Sequence, residues 1–476
     1  MEHRIIARKA EIKLLKDCYK ANQSDFVAVY GRRRIGKTYL VRELFETELS
    51  FYVTGLLGES ESTQIQNFND EINARARRRI PQAENWRDAF LNLGELIKQL
   101  PNERKKVIFL DEVPWMDTAE SGFLTALDHF WNHIASARHD ILFIVCGSAT
   151  SWMTGKLINN YGGLHNRLTR QIYLEPFTLA ECEEYYQAKQ IAYTRYQMVE
   201  AYMVFGGIPY YMSLMDSHLS LYQNVDALYF SDKAPLRNEY PNLMNSLFKL
   251  ADKHIALVEY LASKNQGRTR DDIINEGGFS DNGRTTQLLG DLQNNGFVRS
   301  YRSFGKRKRG SFYQLIDPFI LFHLRFNEKR GMYNDKYWLQ FAATPAYHAW
   351  SGIAFERVCL LHLKQIKDGL GIGSVLTEAS AWRSSEHQPG AQIDMVIDRN
   401  DNVINLCEMR FSSEEFLLTK KDDEDLRRRR SAFKEETRTR KALQTTLMTT
   451  FGLKENAYAN TITAQLTLDD LFSNRP

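Results

Sequence analysis

Residues 31–38 have the types and the spacing of a phosphate-binding loop. They are Gly31, Arg32, Arg33, Arg34, Ile35, Gly36, Lys37 and Thr38, which together follow the pattern G-x-x-x-x-G-K-T. The glycines allow backbone N–H groups to turn inward on a phosphate, and the positive end of the next helix adds to the attraction. The lysine would meet the β and γ phosphates, and the threonine hydroxyl a Mg²⁺ ion. The loop therefore predicts a nucleoside triphosphate site.

An acidic pair stands where such a site needs its second element. The apolar run Val107–Leu110 is followed directly by Asp111 and Glu112, which is typical of a buried parallel strand that ends at a site. Asp111 is predicted to hold the Mg²⁺ water shell, and Glu112 to orient or activate the attacking water. Such a pair can also cap a helix, but the loop upstream favours the catalytic interpretation.

Two further side chains are candidates for the same chemistry. Ser148 follows the apolar run Ile141–Cys146, and a hydroxyl at that strand tip would lie beside the second strand-end acid, where it could sense the γ phosphate or hold the water. Arg167 or Arg170 could reach a nucleotide as an arginine finger, and would act in trans if subunits pack around the site. The arginine hypothesis thus goes together with a homo-oligomer.

Flanking elements must position these residues. Phe26–Tyr30 predicts a buried strand before the loop, and apolar residues from Leu40 to Phe45 predict a helix after it, which argues against a chance match in a turn. Thr178-x-x-Glu181 is a capping box that begins a helical stretch. That stretch is interrupted by Gly206-Gly207-Ile208-Pro209. We therefore expect an α/β domain with a parallel sheet, followed by a small helical lid.

Composition limits the class of protein. The chain has 476 residues, 43% of them hydrophobic and 12% aromatic, so it is folded and long enough for about three domains. With 62 basic and 59 acidic residues the net charge is +3, and any nucleic-acid contact must come from local patches. Five scattered cysteines without a C-x-x-C pair indicate a reducing compartment. No leader segment or membrane-length apolar run is evident, and we expect a cytoplasmic protein.

The order of these motifs resembles the prokaryotic archaeal-type ATPases within the STAND branch of the AAA+ superfamily. The resemblance rests on Gly31–Thr38, Val107–Glu112, Ser148, Arg167 and Gly206–Pro209. Residues 6–11 are similar to the family's N-terminal motif G-R-x-x-E, with Ala7 in place of the glycine. The resemblance implies ATP and Mg²⁺ as cofactors, ATP hydrolysis, and a nucleotide contact from Pro209 that moves the lid.

A segment with the pattern of a winged helix follows. Residues 254–261, 269–274 and 283–294 predict three helices, and a hairpin then turns at residues 305–310. In a DNA-binding version the third helix would enter the major groove through Arg284, Thr285 and Gln287, and the wing would meet phosphates. The basic residues at the wing tip are Lys306, Arg307, Lys308 and Arg309. Intramolecular packing of this segment is the alternative.

The last module carries a second candidate metal site. Residues 392–397 and 403–411 predict two strands, and a loop centred on Asp401 would place Asp394 opposite Glu408, with Arg410 on the same face as Glu408. Together with Glu356 these acids could bind Mg²⁺ for phosphodiester cleavage. The stretch is similar to the PD-(D/E)XK nuclease-like domain, with Arg410 at the position of the usual lysine. A degenerate nuclease fold used for DNA binding or assembly is the alternative.

These patterns predict four domains. They are a P-loop ATPase core (1–175), a helical lid (176–235), a winged helix (236–317) and an α/β nuclease-like domain (318–476). The first hypothesis is an ATPase that couples its nucleotide state to DNA binding and, further, to DNA cleavage. The second is an ATP-dependent switch or scaffold with an inactive nuclease-like domain, and a third, weaker hypothesis is a protein-remodelling ATPase.

Overall fold

The computed structural model describes residues 5–101, 104–159, 167–248, 250–305, 311–327, 336–384 and 390–473. The chain divides into two compact units, Met1–Glu175 and Pro176–Pro476. Within the described residues, no helix combines the length and the apolar character that crossing a membrane requires.

The first unit alternates strands and helices. Its strands are β1 (Asp25–Tyr30), β2 (Leu49–Thr54), β3 (Lys106–Asp111), β4 (Ile141–Gly147) and β5 (Arg170–Tyr173). Its helices are α1 (Lys9–Lys20), α2 (Lys37–Leu44), α3 (Glu61–Arg75), α4 (Trp86–Gln99), α5 (Val113–Met116), α6 (Phe123–Phe130) and α7 (Thr150–Trp152), with π-helical turns at Trp131–Ala135 and Met153–Ile158. Helix α1 begins at Lys9 and no earlier, because Ala7 and Arg8 have positive φ angles of 62° and 56°.

The five strands form one parallel sheet in the order β2-β3-β4-β1-β5. Every residue of β3 and β4 is buried, because parallel strands covered on both faces need continuous apolar sequences. Aromatic side chains of the flanking helices, such as Phe68, Trp86 and Phe90, pack into the same core. The predicted α/β class is confirmed, and the carboxyl ends of β1, β3 and β4 meet at one edge of the sheet.

The second unit begins with helices α8 (Leu179–Ala188), α9 (Arg195–Phe205) and α10 (Pro209–Ser213). The capping box predicted at Thr178 is confirmed, since its hydroxyl accepts from the Glu181 N–H and the Glu181 carboxylate accepts from the Thr178 N–H. Gly206 ends α9 with φ 68°. At Gly207 a Cβ atom would lie 2.3 Å from the Phe177 carbonyl oxygen, so only glycine fits there.

Further helices and a three-stranded sheet follow. The helices after α10 are α11 (Leu221–Val225), α12 (Glu239–Leu247), α13 (Ala251–Ala262), α14 (Arg270–Asn275) and α15 (Gly283–Asn294), and the strands are β6 (Arg268–Thr269), β7 (Val298–Arg302) and β8 (Ser311–Leu315). Helices α13, α14 and α15 accompany the antiparallel sheet β6-β8-β7. Thr269 caps α14 through a capping box with Asp272, as its sequence predicts.

The chain ends in a mixed sheet with helices around it. These helices are α16 (Pro318–Phe326), α17 (Tyr337–Phe341), α18 (Pro345–Leu361), α19 (Leu363–Gly369), α20 (Lys420–Thr437) and α21 (Leu468–Leu471). The strands β9 (Thr377–Arg383), β10 (Gln392–Arg399), β11 (Val403–Arg410), β12 (Ala442–Thr449) and β13 (Ala464–Leu466) lie in the order β13-β12-β11-β10-β9. Neighbouring strands among β9, β10 and β11 are antiparallel, and β12 and β13 run parallel to β11.

A buried histidine joins the first helix of this unit to its carboxy-terminal part. His362 Nε2 accepts a hydrogen bond from the Leu179 N–H at 3.0 Å, and its Nδ1 donates to the Val358 carbonyl at 2.8 Å. The ring is 1% exposed, and burial lowers the pKa of His362 to about 4. The imidazole is therefore neutral at pH 7, and protonation would break the bond that caps α8.

We predict that His362 makes the second unit sensitive to acid. Because its folded pKa lies below its unfolded value of 6.5, its stabilising effect is complete above pH 6.5 and is lost as the pH falls towards 4. Between pH 7 and 4, wild-type protein should lose about 3 kcal/mol of unfolding free energy more than His362→Gln. Denaturant titrations of both proteins at several pH values measure this difference. Other titrating groups change the unfolding free energies of the two proteins equally, so they cancel in the difference. Parallel pH profiles would contradict the assignment.

Candidate functional site

The phosphate loop leaves the end of β1 through a glycine that nothing else can replace. Gly31 has φ 141°, and a Cβ atom there would lie 2.4 Å from the Leu174 carbonyl oxygen and 2.7 Å from Ile35 Cδ1. Gly36 has φ 85° and directly precedes α2. The two glycines thus let the loop fold tightly against the end of β5 and place the first N–H groups of α2 at its mouth.

Lys37 is held inside this loop. Its side chain is only 5% exposed, and Nζ donates to the carbonyl oxygens of Gly31 at 2.9 Å and Arg32 at 2.8 Å. Arg32 and Ile35 are buried, whereas Arg33 and Arg34 are half-buried. The ammonium and the α2 amino terminus form a compact positive region of the kind that attracts phosphate.

The acid at the end of β3 meets the loop threonine. Thr38 Oγ1 donates to Asp111 Oδ2 at 2.7 Å, and Asp111 Oδ1 accepts from the Glu112 N–H at 3.0 Å. A hydroxyl and a carboxylate side by side supply the hard oxygen ligands that Mg²⁺ prefers, so these residues fit the ion.

Ser148 at the end of β4 holds the second acid. Both its N–H and its hydroxyl donate to Glu112 Oε2, each at 2.9 Å. Glu112 itself has a left-handed backbone with φ 48°, a strained conformation that recurs at active sites. Burial raises the pKa of Glu112, with a further contribution from Asp111, while Lys37 and the two Ser148 bonds oppose the rise. The structure therefore brings Lys37, Thr38, Asp111, Glu112 and Ser148 together.

The amino-terminal segment supports the loop from behind. The Arg8 guanidinium donates to the carbonyl oxygens of Glu175 at 2.6 Å and Ile35 at 3.3 Å, and lies 3.5 Å from the Glu11 carboxylate. The motif G-R-x-x-E singled out Arg8 and Glu11, but it gave no indication of the contacts of Arg8 with Ile35 and Glu175. Ala7 has the positive φ for which glycine is the natural residue, which gives a physical reason for the glycine in the motif G-R-x-x-E.

Arg167 lies away from the phosphate loop of its own chain. It precedes β5, whose first residue Arg170 pairs with Val27 near the start of β1, whereas Gly31 follows the end of β1. At about 3.3 Å per residue along the strand, Val27 and Gly31 are roughly 13 Å apart. Arg167 is exposed, and its predicted role would have to be played on another subunit.

The remaining predicted ligands belong to the second unit. Pro209 is the first residue of α10. Arg284 is exposed near the start of α15, while Thr285 is buried and donates to the Ser280 carbonyl oxygen. Thr285 therefore does not present its hydroxyl outward, contrary to the prediction. Lys306, Arg307, Lys308 and Arg309 lie outside the described residues.

The register predicted for the carboxy-terminal acids is confirmed. Met395 pairs with Cys407 across the antiparallel strands β10 and β11, so the next positions along the ladder are Asp394 and Glu408. Burial raises the pKa of Glu356, and the nearby carboxylates Asp394 and Glu408 raise it further. The three carboxyl groups are therefore close enough to interact electrostatically. The described part of the chain nevertheless contains no group of three or more metal-ligating side chains positioned for one ion.

Arginines pair with one of these acids instead. Glu408 is 2.8 Å from Arg410 and 2.9 Å from Arg429 of α20, and Arg429 also pairs with Asp425. Nothing in the spacing of the arginines at residues 427–430 indicates that one of them pairs with β11. Arg429 was therefore missed.

The hairpin strand β7 is docked near the same acids. The Arg299 Nε–H donates to Gln314 at 2.8 Å and its guanidinium lies over the Tyr301 ring at 4.5 Å. Burial lowers the pKa of Arg299 to about 10. Arg299 and Tyr301 line a narrow cleft together with Asp394. Just beyond β7, the Phe304 N–H donates to the Ala381 carbonyl oxygen of β9 at 2.9 Å.

Known proteins match parts of this chain. A family model described as an ATPase domain predominantly from Archaea matches residues 6–215. The chain carries an archaeal-type ATPase domain. An uncharacterized protein of Methanocaldococcus jannaschii is 25% identical over 325 residues, which are 67% of this chain and 68% of that protein. An uncharacterized ATP-binding protein of the same organism is 35% identical over 43 residues, 9% of this chain and 73% of that protein.

Solved structures also align with the chain. The Walker-type ATPase of Pyrococcus abyssi aligns with a TM-score of 0.49 and 16% identity, covering 68% of this chain and 97% of that one. The ORC2 protein of Aeropyrum pernix aligns with a TM-score of 0.40 and 15% identity, covering 70% and 98%. The family match, together with the phosphate loop and strand-end acids of the matched domain, identifies the protein as an ATP-binding ATPase.

We predict that Gly31→Ala damages the ATPase domain more than Gly58→Ala. Both positions have positive φ, which costs alanine about 1–2 kcal/mol. At Gly31 the added Cβ would meet a backbone oxygen, whereas at Gly58 no atom of the described residues beyond its chain neighbours lies within 4 Å. Gly31→Ala should therefore lower the unfolding free energy further and weaken ATP binding, as measured by denaturant titration and by titration with a fluorescent ATP analogue. Equal effects of the two substitutions would contradict the close packing of Gly31 against the Leu174 carbonyl oxygen.

Proposed function

We propose that this protein hydrolyses ATP at Lys37, Thr38, Asp111, Glu112 and Ser148, and that its nucleotide state controls DNA binding by the second unit. The observation that carries the catalytic part is the convergence of these five side chains at the carboxyl edge of one parallel sheet. It supports a division of labour in which the loop binds the triphosphate and the strand-end residues act on water.

Each residue has a role that follows from its contacts. Lys37 and the loop N–H groups bind the β and γ phosphates. Thr38 and Asp111 would hold Mg²⁺, which would neutralise phosphate charge when bound. Glu112 takes the proton of the attacking water. Burial raises the pKa of Glu112 towards neutral pH, which makes its carboxylate a better general base. The paired donors of Ser148 fix one oxygen of Glu112 and leave the carboxylate in a single orientation.

Arg167 completes the site from a neighbouring subunit in this proposal. Its place at the opposite edge of its own sheet, and its exposure, favour a contact in trans over one within the chain. A homo-oligomer in which Arg167 approaches the γ phosphate of the next subunit would supply the missing positive charge. Pro209 and the glycines before it contribute to lid movement on nucleotide exchange.

We predict that Glu112→Gln lowers ATP turnover by about 10²-fold or more while ATP affinity changes little. Glutamine keeps the acceptor for Ser148 but cannot take a proton. Arg167→Ala should lower turnover by about 10³-fold or more. Steady-state phosphate release and nucleotide titration measure both effects, with the exposed Glu95→Gln as a matched control.

Mixing the two inactive variants tests the trans arrangement. A subunit with intact Glu112 beside one with intact Arg167 forms a complete site, so the equimolar mixture should recover a substantial part of the wild-type rate. A mixture as inactive as its components would remove Arg167 from the neighbouring site. A Glu112→Gln protein with normal turnover would overturn the assignment of the base.

The DNA-binding part rests on the three helices and hairpin of residues 251–315. Their order and the sheet β6-β8-β7 support a winged helix whose third helix, α15, presents Arg284 to solvent. The basic tip, Lys306–Arg309, would meet phosphates. Within the proposed domains, residues 176–235 form the lid, 236–317 the winged helix and 318–476 the nuclease-like domain.

The nuclease-like domain is proposed to serve DNA binding or assembly without cleaving DNA. Glu408 is paired with Arg410 and Arg429, two fixed cations that compete with a metal ion for its carboxylate. Arginine at position 410 cannot give up a proton, as a catalytic lysine can. This observation favours the second hypothesis for the nuclease-like domain, an inactive fold that serves binding or assembly, over Mg²⁺ binding at Glu356, Asp394 and Glu408.

We predict that plasmid and single-stranded DNA change the ATPase rate but remain uncut. Wild type and Asp394→Ala should give the same products in the presence of Mg²⁺, because Asp394 serves no metal. Gel analysis of the DNA and phosphate release from the same reactions provide both readouts. Cleavage that Asp394→Ala abolishes would establish an active nuclease, and an ATPase rate that responds to polypeptide but not to DNA would favour a remodelling function.

A further inference from the structure

A buried glutamine lies next to the segment that carries Glu112. Gln64 is near the start of α3 and is 2% exposed. Its carboxamide nitrogen donates to the carbonyl oxygens of Leu56 at 2.5 Å and Trp115 at 3.1 Å, and its carboxamide oxygen accepts from the Leu56 N–H at 2.9 Å. Only one orientation of the carboxamide satisfies all three contacts. This side chain therefore joins the loop after β2 to the short helix α5.

Helix α5 is the turn that Glu112 begins. Glu112 is its N-cap residue, and the Trp115 N–H donates to the Glu112 carbonyl oxygen at 2.9 Å. The bond from Gln64 to the Trp115 carbonyl oxygen fixes the far end of the same turn. A single helical turn has little stability of its own, so the position of α5 depends on contacts of this kind.

The loop after β2 packs directly on the backbone of the two strand-end acids. The Gly55 N–H donates to the Asp111 carbonyl oxygen at 2.9 Å, and a Cβ atom at Gly55 would lie 2.6 Å from the Glu112 carbonyl oxygen. Gln64 holds both backbone groups of Leu56, the next residue. Its carboxamide thus keeps the loop in place against the Glu112 backbone.

Glu112 requires this support because of its backbone conformation. Its φ of 48° is strained, and a residue keeps such a conformation only where the surrounding structure enforces it. Without the clamp, Glu112 would relax towards a negative φ, which would reorient its side chain and move the carboxylate away from the Ser148 donors. Ser148 fixes the end of the Glu112 side chain, and Gln64 fixes the backbone from which that side chain starts.

We propose that Gln64 is a positioning residue for ATP hydrolysis, which holds the Glu112 backbone so that the carboxylate faces the attacking water. The inference rests on the proposed function, because Gln64 acts through Glu112. Among the described residues, the hydrogen bonds of Gln64 go to Leu56 and Trp115 and not to the phosphate loop. ATP binding should therefore be spared when these bonds are lost.

Gln64→Met, made in the full chain, removes all three hydrogen bonds and keeps an unbranched side chain of similar size. It should lower kcat for ATP about tenfold or more, because a misplacement of roughly 1 Å can cost about 10²-fold in rate. The affinity for a fluorescent ATP analogue should change by less than about twofold, since an interaction that serves only the chemical step leaves binding intact. Gln64→Glu, which keeps the acceptor for the Leu56 N–H and has no donor when ionised, takes its place if Gln64→Met does not fold.

Asn69 provides a matched control on the same helix. It is also 2% exposed, and its carboxamide accepts from the Ala83 N–H at 3.0 Å and donates to the Ala83 carbonyl oxygen at 2.9 Å. Asn69→Leu therefore breaks an equivalent buried clamp, on the segment before α4. Both variants should lose stability in denaturant titrations, but Asn69→Leu should keep the wild-type kcat. Equal values of kcat in the two variants would overturn the inference, because Gln64 would then contribute to folding alone.

A double-mutant cycle with Glu112→Gln separates positioning from other roles. If Gln64 acts through Glu112, adding Gln64→Met to Glu112→Gln should change the single-turnover rate by less than about twofold. The same loss of rate in both backgrounds would overturn the inference and leave the proposed function intact. Wild-type turnover in Glu112→Gln would instead refute the proposed base, and the inference with it.

Discussion

The hydrogen bond between Thr38 and Asp111 is the constraint on which the first unit depends. The two residues are 73 positions apart in sequence, and their side chains meet at 2.7 Å only because β1 and β3 flank β4 in one parallel sheet. Parallel strands end at a common edge, so each strand delivers its last residue to the same place. A single slip of register would move Asp111 by one position and turn its side chain to the other face.

Much of this site could be predicted from the sequence, for physical reasons. Three local patterns each predict the backbone structure around them. They are the loop spacing, the buried run that ends at Asp111 and the hydroxyl at residue 148. The strands then need only pair in the usual manner to assemble them. The bond between Ser148 and Glu112 follows from the same logic, because both lie just beyond the ends of adjacent strands. What the pattern could not convey is the clamp by Arg8, since nothing local to residues 5–11 specifies a carbonyl oxygen at Glu175.

The carboxy-terminal module shows where such reasoning stops. The register of β10 and β11 was predictable because the short turn at residues 400–402 fixes it, and Asn402 takes the positive φ that this turn needs. The charge state of the acids was not predictable, because it depends on Arg429, which approaches from α20 across the sheet. Tertiary contacts of this kind decide whether a carboxylate is available to a metal, and a motif records only that the carboxylate exists.

Buried polar contacts also explain why residues 176–476 behave as one unit although their sequence suggests three domains. Glu200 of α9 accepts hydrogen bonds from Tyr222 of α11 and Tyr347 of α18, and burial raises the pKa of Glu200. His362 adds its bond to the start of α8. Unpaired polar groups are costly when buried, so separating these helices would expose or orphan several at once. Any displacement of α9 must therefore carry α18 with it, and α18 bears Glu356 and Arg357. A movement of the predicted lid would in that way reach Glu356, one of the three carboxy-terminal acids, without a separate linker.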